Sequence, residues 1–291
     1  MELRVLEYFL AVAEEGSISK AAEHLHLTQP TLSRQIKELE DSLGKQLFIR
    51  GSRKITLTDD GVLLRKRAQE IVSLVAKTEN EVRAESTDLS GDIYIGAAES
   101  DSVRYILKCI SALQKNHSIR LHILSGDAKD TLEKLDNGLI DFALILGEID
   151  KHKYNAIELP VTDTWGLLMN KDSPLANKEY ITPQDLDGLP IILSRQSQIE
   201  ENLNTWLNSN NIDFETVATY NLIYNASLMV DEGMGYALTL DKLINYTGTN
   251  DLKFIPLNPS ITLQSSIIWK KNQIFSKTAK AFLSELKKRI G

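Results

Sequence analysis

Residues 28–58, TQPTLSRQIKELEDSLGKQLFIRGSRKITLT, concentrate side chains able to hydrogen-bond nucleic acid. Between Gln29 and Lys54 the cations Arg34, Lys37, Lys45, Arg50, Arg53 and Lys54 face only Glu38, Glu40 and Asp41, in a chain of formal net charge −7. Arg can bridge guanine O6 and N7, Gln can pair with adenine, and Ser and Thr serve either role. The overall acidity argues against nonspecific attachment over the whole surface, so a DNA contact must be local.

A second polar group lies further on: Glu99, Ser100, Asp101 and Ser102, then Ser125 and Asp127, then Ser194 and Arg195. Its carboxylates suit a ligand bearing an amine or several hydroxyls better than a simple anion, although Arg195 keeps a zwitterion open. Asp101 and Asp127 also stand at helix starts, where capping is the competing explanation.

Other chemistry finds no support. The five histidines, His24, His26, His117, His122 and His152, form no metal spacing. No G-x-S-x-G, Walker loop or G-x-G-x-x-G appears, and no nucleophile–base set emerges. The one cysteine, Cys109, reads as a core thiol and excludes an intramolecular disulfide.

The elements that position the basic island follow from apolar spacing. Leu3, Leu6, Phe9, Leu10 and Ala13 mark a helix over about 2–15, ended by Gly16. Ser17 or Ser19 can cap a short second helix whose Ala21 and Ala22 allow close crossing. Thr28 is the expected N-cap of a third, with Pro30 in its first turn. Leu32, Ile36, Leu39 and Leu43 form its buried face, and the opposite face shows Gln29, Thr31, Ser33, Arg34 and Lys37. QLFI and KITL read as a hairpin with Arg53 at its tip, in reach of the minor groove. Helix, turn, capped helix and basic hairpin in this order predict a winged helix-turn-helix, against a plain solvated face and hairpin.

The stretch AAEHLHLTQPTLSRQIKELEDSLGKQLFIRGSRKITLTDDG resembles the N-terminal signature of LysR-type transcriptional regulators. The resemblance lies in the Ala-Ala pair, QP..SRQI..LE, LG..LF.R..R...LT..G and their spacing. It implies DNA contacts from Gln29, Pro30, Thr31, Ser33, Arg34 and Arg53, to which the helix face adds Lys37 as a phosphate contact.

From Asp59 to about Glu85 there is no proline, and Thr58 can cap the helix. Leu64, Ala68, Ile71, Val75, Thr78 and Val82 alternate in steps of four and three, an a/d seam. It can pack on the chain's own body or on a second copy. The resemblance favours an antiparallel linker-helix pair. STDLSGD, residues 86–92, is the expected hinge.

Beyond it, strands at 92–97, 119–125 and 140–146 alternate with helices, the pattern of a parallel sheet. NAIELPV and TWGLLM carry the chain into a second lobe, from which LKFIPL and TLQSSIIWKK return it. Ligands in such sheets bind at the carboxyl ends of strands. Those ends are 98–102, 125–127, 147–148 and 194–197. The resemblance agrees, implying a bilobal periplasmic-binding-protein-like (type II) effector domain. LMVDEGMGYALTL is similar to the family's LV..G.GIA.LP segment, with Leu240 in place of proline.

The expected fold is thus α + α/β. A winged helix-turn-helix spans 1–58, a linker helix 59–87 and an effector domain 88–291. Its first lobe is about 92–161 plus 267–291, its second about 162–266. The expected function is sequence-specific transcription regulation at operator dyads, with an effector bound at Ser100, Asp101, Ser102, Ser125, Asp127, Ser194 and Arg195. The alternatives are a solute-binding sensor or an α/β enzyme using the cleft. Expected partners are double-stranded DNA, a small-molecule effector, a homodimer or homotetramer mate and RNA polymerase. No cofactor, metal or membrane is expected. MELRVLEYFLAVAEEGS does not read as a signal peptide, so the expected compartment is the cytoplasm.

Overall fold

The computed structural model describes the chain apart from residues 52–53, 84–88, 196–200, 209–212, 245–250 and 291. Two compact units emerge, residues 1–84 and 85–291.

The first unit contains α1 (Leu3–Glu15), α2 (Ile18–His24), α3 (Gln29–Leu43), β1 (Phe48–Arg50), β2 (Ile55–Leu57) and α4 (Asp59–Arg83). Gly16 ends α1 in the left-handed region at φ 60°. The Ser17 side chain then accepts the Lys20 N–H at 3.4 Å and caps α2. Phe9, Val12, Ala21, Ala22, Leu32 and Ile36 meet in one core, and the two alanines let α2 cross closely. Thr28 stands at the N-cap of α3 but makes no capping bond; its hydroxyl instead lies 2.7 Å from that of Thr31.

The hairpin pairs Phe48 with Leu57 and Arg50 with Ile55. Glu40 ties it to α3, accepting the Leu47 and Phe48 N–H groups at 2.7 and 3.2 Å. Thr58 accepts the Gly61 N–H at 3.0 Å and donates to the Gln46 carbonyl at 2.7 Å, so it caps α4 as expected. A Cβ at Gly61 would stand 2.2 Å from the Leu47 carbonyl oxygen, so only glycine allows this approach.

The expected α4 seam divides in two. Leu64 and Ala68, with Val72, pack on the unit's own core. Ile71 remains 39% exposed and Val82 79% exposed. A straight helix drifts relative to a strict heptad, so one stripe cannot face one neighbour along its whole length.

The second unit runs β3 (Ser90–Ala97), α5 (Val103–Gln114), β4 (Ser118–Ser125), α6 (Ala128–Asp136), β5 (Phe142–Leu146) and β6 (Tyr154–Asn170). It continues with β7 (Pro190–Ser194), α7 (Glu201–Asn208), β8 (Glu215–Tyr220), α8 (Ile223–Asp231), β9 (Tyr236–Leu240), β10 (Leu252–Pro256), β11 (Thr262–Lys270) and α9 (Lys277–Ile290). The strand order is β4-β3-β5-β11-β6-β9-β7-β8, with β10 also on β6. β3 pairs in parallel with β4 and β5, and β7 with β8 and β9. These are two parallel α/β halves joined through β6 and β11. Each has its own core, one around Ile95, Phe142 and Phe282, the other around Leu167, Ile191 and Leu238.

Three details differ from the sequence reading. NAIELPV and TWGLLM belong to one 17-residue strand, β6, which serves both halves. β10 does not return the chain to the first lobe, because Leu252–Pro256 pairs with Gly166–Asn170 in the second. Gly166 makes that pairing possible, since a Cβ there would lie 2.2 Å from the Phe254 ring. Of the expected hinge, residues 86–88 lie outside the described residues, and Ser90 to Asp92 already pair with Ser118 to Arg120 as strand.

Candidate functional site

In the first unit, α3 presents its N-terminal end with Gln29, Pro30, Thr31, Arg34 and Lys37 exposed and Ser33 half-buried. These are the expected DNA-facing residues, on one side of a helix held from behind by Leu32, Ile36 and Leu39. Arg53 lies outside the described residues. Spacing alone missed Glu38. Its carboxylate lies 3.6 Å from Arg34 in an exposed ion pair and accepts from Gln35 at 2.8 Å.

In the second unit, the two halves enclose a cleft of about 910 Å³. Its wall includes Glu99, Asp127, Glu148, Trp165, Ser194 and Tyr220. Glu99, at the end of β3, reaches across it and accepts the Ile223 backbone N–H at 2.8 Å. Ile223 is the first residue of α8, so a carboxylate from one half caps a helix of the other.

The seven expected effector residues occupy four kinds of position. Asp127 and Ser194 line the cleft. Asp127 also caps α6 by accepting the Asp130 N–H at 2.8 Å, so the capping alternative is realised there. Ser100 and Ser102 are buried beside the cleft, and both donate to Asp163 Oδ2, at 2.8 and 3.1 Å. Ser265 donates to the same oxygen at 2.9 Å. Asp101 does not cap α5; it pairs with Arg104 at 2.5 Å. Ser125 and Arg195 are exposed and stand outside the cleft wall. Of the strand end 194–197, residues 196–197 lie outside the described residues.

Tyr220 closes one side, with its hydroxyl donating to the Leu238 carbonyl at 2.7 Å. Burial pushes its phenol up to about 12, so it is a neutral donor at ordinary pH. Among the described residues no group of acidic, His or Cys side chains could hold a metal ion.

Residues 3–62 match the family described as bacterial regulatory helix-turn-helix protein, lysR family, and residues 86–291 match the LysR substrate binding domain. The chain belongs to the LysR family.

A probable RuBisCO transcriptional regulator of Phaeodactylum tricornutum is 30% identical to this LysR-type protein over 99% of the chain and 95% of its own length. A hydrogen peroxide-inducible genes activator of Pectobacterium carotovorum is 31% identical, over 66% of the chain and 64% of its own. In fold, the protein is similar to full-length CbnR complexed with target DNA, with a TM-score of 0.78, 19% identity and 99% of both chains covered. This LysR-type protein is a DNA-binding transcription regulator with an effector-binding domain, and it is not an enzyme. No helix among the described residues is long and apolar enough to cross a membrane.

Besides Glu38, three residues of this regulator carry contacts that spacing did not point to: Glu40, Asp163 and Ser265. Asp163 left one signal, a carboxylate set between Thr162 and Thr164 in the middle of β6.

Proposed function

We propose that this regulator reads an operator dyad through α3 and answers to a small-molecule effector in the interlobe cleft. The observation that carries the reading is the exposed N-terminal face of α3, with Gln29, Thr31, Arg34 and Lys37 on one side of a well-buried helix. Gln29, Pro30, Thr31, Ser33 and Arg34 read bases or position the helix, and Lys37 meets a phosphate. Arg53 serves the adjacent minor groove. Residues 1–58 form the DNA module, 59–87 the linker and 88–291 the effector domain. The uncovered stretch of α4 around Ile71 and Val82 supports a homodimer through this helix, with a tetramer built by further effector-domain contacts. RNA polymerase is the partner at the promoter, and the cytoplasm is the compartment. Footprinting on the DNA upstream of its own gene tests the reading. A protected, interrupted dyad that Arg34→Ala abolishes supports it, and equal protection of scrambled DNA contradicts it.

Peroxide sensing, suggested by the relative from Pectobacterium carotovorum, finds no support in the chain's own chemistry. A sensor thiol must ionise and be accessible. Cys109 is the one cysteine, it is buried, and burial pushes its thiol up to about 11.

A further inference from the structure

We infer that the interlobe cleft takes an organic amine, a cation on an apolar, ring-sized body with one oxygen acceptor, and rejects carboxylates. The inference rests on the reading of this cleft as the effector site. Its ground is that the two helix N-termini at the cleft, and the serine cluster beside it, already hold the chain's own carboxylates.

Helix N-termini and converging hydroxyls stabilise negative charge. At α8 that place is taken by Glu99, on the Ile223 N–H at 2.8 Å. At α6 it is taken by Asp127, on the Asp130 N–H at 2.8 Å. The hydroxyls of Ser100, Ser102 and Ser265 are spent on Asp163, which is 1% exposed. An entering carboxylate would have to displace one of these groups and then face the others. The cations of the wall do not offset them: Lys151 pairs with Glu158 at 3.7 Å, which leaves Lys129 against Glu99, Asp127 and Glu148.

Trp165 is the independent sign of a ligand. It lines the cleft, it is 4% exposed, and its Nε1–H has no hydrogen-bond partner among the described residues. A buried donor left unmade is costly, and a ligand oxygen would relieve it. The indole face attracts cations. Glu99 spends one bond on Ile223 and, as a carboxylate, retains capacity for an ammonium. Ile145, Leu240 and Leu263 make the neighbouring wall apolar, and the volume of about 910 Å³ admits a ring.

The test uses the full chain and probes of one shape with different heads: tyramine, tyrosol and para-hydroxyphenylacetate. Fluorotryptophan labelling gives a fluorine NMR signal for each of the three tryptophans, and Trp165→Phe identifies the one in the cleft. Tyramine should shift the Trp165 signal saturably, with affinity about tenfold or more above that of the acid. Glu99→Gln, which keeps an acceptor for Ile223, should weaken tyramine about tenfold or more, as for loss of a charged hydrogen bond. Equal or tighter binding of the acid, no saturable shift with any probe, or unchanged tyramine affinity in Glu99→Gln would overturn the inference. Tyramine binding that leaves the DNA footprint unaltered would uphold the ligand class and sink the effector reading instead.

Discussion

Glu99 Oε2 lies 2.8 Å from the Ile223 nitrogen and accepts its N–H across the cleft. This bond joins the loop after β3, in one half, to the start of α8, in the other. α8 has no side-chain cap of its own, since Leu222 stands at its N-cap. Glu99→Ala should therefore destabilise the second unit by about 1–2 kcal/mol, as other lost caps do. Hydrogen exchange in the first turn of α8 should accelerate while that of α5 stays unchanged. Unaltered exchange at Ile223 would show that the bond does not hold the start of α8.

Asp163 holds Ser100, Ser102 and Ser265 on one oxygen. Asp163→Ala leaves these buried hydroxyls without their shared acceptor and should cost about 2–4 kcal/mol. Asp163→Asn retains an acceptor and should cost less. Urea denaturation checks the order; equal stability of Asp163→Ala and the parent would show that the cluster contributes nothing.

Arg34→Ala should weaken operator binding by about 1–3 kcal/mol and relax base preference. Lys37→Ala should weaken all sequences alike and flatten the salt dependence, because a phosphate contact releases counterions. Glu38→Gln frees the Arg34 guanidinium from its 3.6 Å pair and should raise affinity for scrambled DNA more than for operator. Anisotropy titrations on both DNAs at several salt concentrations separate these outcomes.

Ile71→Asp with Val75→Asp places charge on one exposed and one half-buried position of the α4 seam. In a helix pair each unpaired buried ion costs several kcal/mol. Light scattering should then give a smaller mass than for the parent chain. The parent mass in the variant would remove α4 as the interface.

Burial raises the Cys109 thiol from 9.0 to about 11. The folded protein should resist maleimide at pH 8, and unfolding in urea should release the reaction. At that pH a thiol held this high carries about a hundredfold less thiolate than a free one. Because the neutral thiol is the form that the fold favours, its contribution to stability is full below pH 9.0 and is lost as pH rises toward about 11.

Local patterns were legible, and long-range partnerships were not. Gly16, Ser17, Leu32 and Ile36 announce their roles within a few residues, through helix stop, cap and period. Thr28 shows the limit of such reading, because its hydroxyl had a second partner in Thr31. Ser100 and Ser102 were recognisable as strand-end residues. Their acceptor, however, lies 63 and 61 positions away, in a strand that read as two runs divided at Thr162 and Asp163. The α4 seam was visible as a stripe, but its division depended on how far α1 accompanies the helix.

The most direct test of sequence-specific reading by α3 is selection of random-sequence DNA on the full chain, with Arg34→Ala alongside. The parent should enrich one interrupted dyad, and Arg34→Ala should enrich it weakly or lose one position of its half-sites. Enrichment of no sequence by the parent, or of the same sequence to the same degree by the variant, would contradict reading through α3.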